Sequence, residues 1–208
     1  MTHEINHPLI THYITAIRDN IINTKEFRGY IAHIANLLFY EAMRNEELSS
    51  KKIETWKGDG EFLSFDESQF VLIPILRAGL PMMEGIVNTL PNAISGFLAM
   101  KRDEETLEPH IYYDRIPNIE GKIAIMLDPM VATGGSLIDA IDLIKTKKPT
   151  KIISLNIIAS PIGLEAVEKA HDDIDIFVAQ IDEKLNDDGF IIPGIGDAGD
   201  RAYNTLEN

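Results

Sequence analysis

From Val71 to Ile181, short apolar runs alternate with segments of helical spacing, and no other feature limits the fold so strongly. Val71–Leu76 is followed by Gly79 and a helical segment reaching Leu90, then by a strand over Ile94–Met100. Ile123–Leu127 reads as a buried strand that leads through a glycine-rich turn into a helix over Ser136–Lys145. A strand over Ile152–Ala159, a helix over Gly163–His171 and a strand over Ile174–Ile181 complete the series. Strands separated by helices pair in parallel through right-handed crossovers, so the expected class is α/β, with a largely parallel central sheet flanked by helices. Such sheets bind ligands in the loops beyond the C-terminal ends of their strands.

The segments around this series differ in character. Residues 1–50 read as a helical N-terminal part. Asn23 is an N-cap with Glu26 three residues on, and Phe27, Tyr30, Ile31, Ile34, Leu37 and Leu38 recur at helical spacing. Residues 51–70, with Gly58 and Gly60, read as a hairpin or loop. The charged stretch 101–118, with Pro109, Pro117 and two tyrosines, reads as a projecting hairpin that acts as a flexible lid. The whole chain, 1–208, is expected to form a single domain.

Composition narrows the chemistry. There are no cysteines, which removes disulfides, thiolate nucleophiles and zinc–thiolate sites. The start lacks a signal-peptide pattern and the longest apolar runs are too short to span a membrane, so the expected location is cytoplasmic. A formal charge of −14 repels nucleic acid and anionic lipid, and neither is an expected partner. It also repels an anionic small substrate, so a phosphate site needs local cations, backbone N–H groups or a metal ion.

The run Ile123–Ser136 meets that need. An apolar strand ends in Asp128, turns through Pro129, Met130, Val131, Ala132, Thr133, Gly134 and Gly135, and opens a helix at Ser136. The paired glycines let N–H groups converge on one point, and the helix N-terminus adds partial positive charge. The Thr133 and Ser136 hydroxyls add donors, and Asp128 stands where a carboxylate accepts from vicinal hydroxyls. Taken alone, the turn is equally an ordinary strand–turn–helix with Ser136 as its cap. Gly194-Ile-Gly196-Asp-Ala-Gly199 matches the letters of a dinucleotide fingerprint. Pro193 before it and the nearby end of the chain leave no room for the required βα unit. His3, His7 and His12 have irregular spacing and read as surface or capping residues. Trp56, Tyr30 and Tyr40 read as core or subunit interface.

Five blocks together resemble the uracil branch of the type I phosphoribosyltransferases. They are His7–Leu9, Pro74–Leu80, Arg102–Thr106, Asp128–Ser136 and Ile192–Asp200. Pro129 stands where the wider superfamily usually carries a second acid, as in the uracil branch. The resemblance implies transfer of a phosphoribosyl group from phosphoribosyl pyrophosphate to uracil, giving UMP. It assigns Arg77, Arg102, Asp128, the loop Pro129–Ser136 and Asp197 to phosphoribosyl pyrophosphate. It assigns Ile191, Gly196, Asp197 and Ala198, within a base loop at 182–201, to uracil. Asp128, Arg102 and Asp197 are the implied catalytic residues, and Tyr112 and Arg115 join the closed site. Gly196 is expected to leave room for the base, so that a valine there would block it. Asp200 and Arg201 read as a local structural pair. Magnesium ion is implied with phosphoribosyl pyrophosphate, and no side chain is assigned as its direct ligand. A homodimer or larger homo-oligomer is implied, and activation by a purine nucleotide such as GTP is left open. Two rivals are a phosphoribosyltransferase for a purine or orotate, and an RNA-binding regulator of the same fold. The absence of a second acid at Pro129 and the Gly194–Asp200 loop disfavour the first, and the acidic composition disfavours the second.

Overall fold

The computed structural model describes residues 1–102 and 109–205, with the backbone alone at 101, 102 and 109. Strand β1 (Thr2–Glu4) precedes helices α1 (Pro8–Arg18) and α2 (Thr24–Ala42). A hairpin of β2 (Ser49–Thr55) and β3 (Gly58–Ser64) follows. Then come β4 (Phe70–Leu76), α3 (Leu80–Ile86), β5 (Ile94–Ser95), β6 (Phe97–Arg102) and β7 (Pro109–Arg115). The second half contains β8 (Ile123–Leu127), β9 (Met130–Val131), α4 (Gly135–Thr146), β10 (Lys151–Ala159), α5 (Pro161–Ala170) and β11 (Asp175–Ile181). The chain closes with β12 (Lys184–Leu185), β13 (Ile191–Ile192) and α6 (Ala198–Tyr203).

The main sheet runs β1-β11-β10-β8-β4-β6-β7, with β5 beside β4 and β9 beside β10. All its pairings are parallel except β6 with β7. From β4 the chain steps outward to β6 and then returns to the other side as β8. The order therefore reverses between β4 and β8, the place where such sheets open a binding crevice.

Side chains alternate between the two faces with the strand period of two. Leu72, Ile125, Leu127, Ile153 and Leu155 pack with α1, α2 and α3 on one face. Val71, Ile73, Ala124 and Met126 pack with α4 and α5 on the other. The expected capping box at Asn23 is present, with Glu26 N–H donating to the Asn23 side chain at 3.0 Å and Glu26 accepting from Asn23 N–H at 3.2 Å. His7 caps α1, its Nδ1 accepting from Leu9 N–H at 3.1 Å. Residues 51–70 do contain a hairpin.

Several boundaries differ from expectation. The helix expected to reach Leu90 ends at Ile86, because Thr89 and Leu90 both turn back to the Ile86 carbonyl and Pro91 disfavours helix at Leu90. Strand 94–100 breaks at Gly96, whose N–H bonds Leu72 O at 2.9 Å. β1 had no sequence signal: three polar-flanked residues form a strand because β11 offers them an open edge. Residues 103–108 of the stretch expected to project as a hairpin, Asp103, Glu104, Glu105 and Thr106 among them, lie outside the described residues. Its described legs pair antiparallel, and Tyr112 is the extra residue of a bulge opposite Ala99 and Met100. Trp56 and Tyr40 are exposed and are not core.

Candidate active site

Three loops meet at the C-terminal ends of β4, β8 and β11. The first is the turn after β4. A Cβ at Gly79 would lie 2.3 Å from the Leu127 carbonyl oxygen, so this turn seats directly against the end of β8, beside Asp128. Arg77 projects from the turn, exposed, and donates to Asp200 at 3.0 Å and to the Thr205 hydroxyl at 3.2 Å. The Thr205 hydroxyl, and behind it Arg77, holds the Asp200 carboxyl below its usual range. Arg77 Nη2 also lies 3.7 Å from where a Gly199 Cβ would stand, so the Arg77 turn touches the start of α6.

The second loop is Asp128–Ser136. β10 is nine residues long and β8 only five, so its last residues pair with β9 inside this loop. The loop is thereby part of the sheet edge. Buried Asn156 donates to the Asp128 carbonyl at 2.7 Å, and Ser160 Oγ donates to the Ala132 carbonyl at 2.5 Å. Ile158 N–H donates to the Pro129 carbonyl at 2.9 Å. A Cβ at Gly163 would fall 2.3 Å from Ala132 O, so α5 meets the loop backbone to backbone. Gly134 has φ +81 and gives α4 no side-chain cap. Thr133 and Ser136 are exposed at the mouth, and residues 130–137 with Asp128 line a cavity of about 100 Å³. Asp128 is half-buried, and burial pushes its pKa up to about 7, against the opposing hydrogen bond from Met130 N–H.

The third loop joins β13 to α6. Asn186 folds the preceding turn, its Oδ1 accepting from Asp188 N–H at 3.1 Å and Phe190 N–H at 2.8 Å. Asn186 N–H donates to Phe190 O, and the next matched pair of that ladder is Leu185 with Ile191. In an antiparallel ladder alternate pairs are not hydrogen-bonded, which turns the Ile191 N–H and C=O away from β12. The Gly194 carbonyl accepts from Arg18 at 3.1 Å and the Ile195 carbonyl from Arg201 at 2.7 Å. Both are therefore engaged with guanidinium groups. Met130, Ala132, Ile158, Gly189, Ile191 and Gly196 are among the walls of a mainly apolar cavity of about 270 Å³. That is slightly below the usual range for drug-sized ligands and suits one small ring.

The structure thus brings Arg77, Asp128, the loop 129–136 and the 191–198 segment to one crevice. Arg102 ends β6, and its side chain lies outside the described residues. Tyr112 and Arg115 stand on β7, both exposed. Asp197 caps α6, its Oδ1 accepting from Asp200 N–H at 2.8 Å. A helix begins at Ala198, so the expected loop 182–201 is shorter than its assigned span. Asp200 and Arg201 are not a local pair. Asp200 faces Arg77, while Arg201 turns the other way to the carbonyls of Ile17, Asp19 and Ile195, its guanidinium 4.3 Å from the Phe27 ring centre. Gly196 lies in the wall of the apolar cavity. A Cβ there would meet Arg201 Cδ at 3.5 Å, and its φ of +71 disfavours larger residues as well. Sequence reasoning missed Arg18, Asp182, Asn156 and Ser160. Asn156 signalled itself only by polarity inside an apolar strand, and Arg18, Ser160 and Asp182 lie at element ends with no signal at all.

Comparison with known proteins agrees with this geometry. The family model for uracil phosphoribosyltransferase matches residues 4–205. A curated uracil phosphoribosyltransferase from Aquifex aeolicus is 45% identical over 200 residues, covering 96% of each chain. One from Wolinella succinogenes is 46% identical over 203 residues, covering 97% of this chain and 98% of that one. A solved structure of an Aquifex aeolicus protein superposes with a TM-score of 0.96 at 44% identity over 100% of both chains. A hypoxanthine-guanine phosphoribosyltransferase from Bacillus anthracis shares the fold at 14% identity, with a TM-score of 0.52 over 81% of this chain and 83% of that one. The crevice, the motif order and these matches agree: the chain belongs to the uracil phosphoribosyltransferase family.

Proposed function

We propose that this chain transfers the 5-phosphoribosyl group from phosphoribosyl pyrophosphate to uracil, giving UMP and pyrophosphate. The observation that carries this reading is a shared wall. Met130 and Ala132 line both the small polar cavity and the larger apolar one. A ligand with a phosphate at one end and a flat ring at the other spans the pair, with a ribose above Asp128. The N-terminus of α4, Thr133 and Ser136 take the 5′-phosphate. Asp128 accepts from the ribose hydroxyls, and those donors offset the burial that raises its pKa. Main-chain groups of Ile191, Gly196 and Ala198 read the base, while Asp197 faces the diphosphate side.

Chemistry follows from positioning. The N1–C1′ bond forms as the bond from C1′ to the diphosphate oxygen breaks, with inversion at the anomeric carbon, and the proton lost from N1 passes to the departing diphosphate or to solvent. Arg77 and Arg102 stabilise charge on the departing diphosphate. The guanidinium of Arg77 has five donors, so it can keep Asp200 on one edge and face the diphosphate with the other. Magnesium ion is the metal this reading requires. Its usual mode is one or two carboxylates together with substrate phosphates, and Asp128 and Asp197, on separate loops, suit that mode. Among the described residues, no three His, Asp or Glu side chains gather into a ligand set. When bound, the ion would neutralise the diphosphate. The hairpin 101–118 serves as a lid that excludes water from the activated sugar.

Assembly as a homodimer or larger is part of the proposal. The β2–β3 hairpin exposes Trp56 and Leu63 at 89% and 71%, with Phe62 at 50%, more apolar surface than a free arm keeps in water. No helix among the described residues is long and apolar enough to cross a membrane. We place the reaction in the cytoplasm, since a sugar diphosphate does not cross membranes unaided. The test is an initial-rate assay with phosphoribosyl pyrophosphate, magnesium and a panel of bases, with and without GTP. Uracil should be the acceptor, with cytosine poorer by at least about a thousandfold because fixed backbone donors and acceptors meet its inverted pattern. Preference for a purine would overturn the reading.

A further inference from the structure

We infer that Arg18 and Asp182 form a positioning clamp that fixes the backbone of the base loop and thereby sets affinity and selectivity for the base. This rests on the uracil reading above. Asp182 is the residue after β11, only 4% exposed, with its N–H bonded to Ala159 O at 2.9 Å. Arg18 is the last residue of α1. Their side chains meet in a fork, with Nη1 to Oδ2 at 3.0 Å and Nη2 to Oδ1 at 2.6 Å. Both partners then grip the same peptide residue. Gly194 N–H donates to Asp182 Oδ2 at 2.8 Å, and Gly194 C=O accepts from Arg18 Nη1 at 3.1 Å. The ring closes on a glycine with φ +61, where a Cβ would stand 2.1 Å from the Ile191 carbonyl oxygen.

The consequence is geometric. Ile191 and Gly196 line the base cavity on either side of Gly194. Backbone readout discriminates only if the backbone is held, and Pro193 fixes only its own φ while Gly194 and Gly196 stay intrinsically free to turn. The clamp supplies that constraint from two distant points, the end of α1 and the end of β11. Arg201 reinforces it from the same helix end, bonding Asp19 O and Ile195 O, both at 2.7 Å. A buried ion pair is a poor way to gain stability, since apolar residues of similar volume do as well. A fork that orients a peptide has no apolar equivalent.

The test uses three variants of the full chain: Asp182→Asn, Arg18→Met and Arg18→Lys. Asp182→Asn keeps an acceptor for Gly194 N–H but loses the charged fork. KM for uracil should rise by about tenfold to a hundredfold in Asp182→Asn and Arg18→Met, with KM for phosphoribosyl pyrophosphate and kcat within about threefold of wild type. The uracil-to-cytosine preference should shrink in the same variants. Arg18→Lys, which restores charge but not the fork, should recover only part of the loss. Equal changes in both KM values, or a lower melting temperature with both KM values unchanged, would reduce the pair to a purely structural role. Should Asp182→Asn fail to fold, the split in Arg18→Met and Arg18→Lys decides alone. A wild-type chain that uses another base would refute the uracil reading itself. Wild-type uracil turnover with indifferent variants would refute only the clamp.

Discussion

The phosphate loop and the base loop meet at the cavity wall formed by Met130 and Ala132, yet they are built differently. The first is local. Its acid, glycines and hydroxyls are contiguous from Asp128 to Ser136, and its supports, Asn156, Ser160 and Gly163, lie on the next strand and the start of the next helix. The second is an assembly. Its backbone is held by Arg18 from the first helix, Asp182 from the last parallel strand and Arg201 from the last helix. A phosphate needs converging N–H groups, which one turn and one helix end can supply. A base edge needs donors and acceptors fixed in alternation, which a short glycine-rich loop cannot hold unaided.

The contrast is open to direct attack, and the largest effect is expected at the tightest backbone contact. Gly163→Ala sets a Cβ against the Ala132 and Val131 carbonyls at 2.3 and 3.0 Å. Displacing the phosphate loop should cost about 1–3 kcal/mol of stability. Denaturant titration measures this, and KM should rise for phosphoribosyl pyrophosphate more than for uracil. Unaltered stability would show that α5 does not brace the loop. Arg201→Met should do the reverse on the other side. It removes three carbonyl contacts, and losing even one charged hydrogen bond should cost about 1.5–3 kcal/mol, read as a higher KM for uracil.

Asp128→Asn separates stability from function. Turnover should fall about tenfold to a hundredfold, since a charged hydrogen bond to ribose is lost. The sign for stability is opposite. Burial raises the Asp128 pKa to about 7, so the folded state favours the protonated carboxyl. The stability this gives is complete below the unfolded-state pKa of about 4 and fades as pH rises through about 7. At pH 8 the unliganded Asn variant should therefore melt a few degrees above wild type, on the order of 1–2 kcal/mol. In wild type, kcat/KM for phosphoribosyl pyrophosphate should rise with pH through about 7 as the carboxylate forms. A flat profile from pH 6 to 8 with a lower-melting Asn variant would contradict a raised pKa.

Ser136→Ala is the mildest change. One neutral hydrogen bond should cost about 0.5–1.5 kcal/mol, and equally for phosphoribosyl pyrophosphate and UMP, because both carry the 5′-phosphate. Isothermal calorimetry with both ligands measures it. A loss confined to phosphoribosyl pyrophosphate would move Ser136 from the 5′-phosphate to the diphosphate.

The sequence by itself determined the α/β series, the capped N-terminal helix and the glycine-rich turn between β8 and α4. Each depends on residues within a few positions of one another: the unbroken apolar runs of β4 and β8, the Asn23–Glu26 box, the acid and glycines between β8 and α4. Local spacing carries that information because strand and helix periods and caps are local properties. The tertiary structure alone decided the supports of the base loop. Arg18 and Asp182 are 164 residues apart, and nothing near either one announces a partner. It also decided that Asp200 faces Arg77 and not Arg201, and that Thr2–Glu4 becomes an edge strand. A side chain's partner depends on which strand ends the crossovers bring together, and that is a property of the whole sheet.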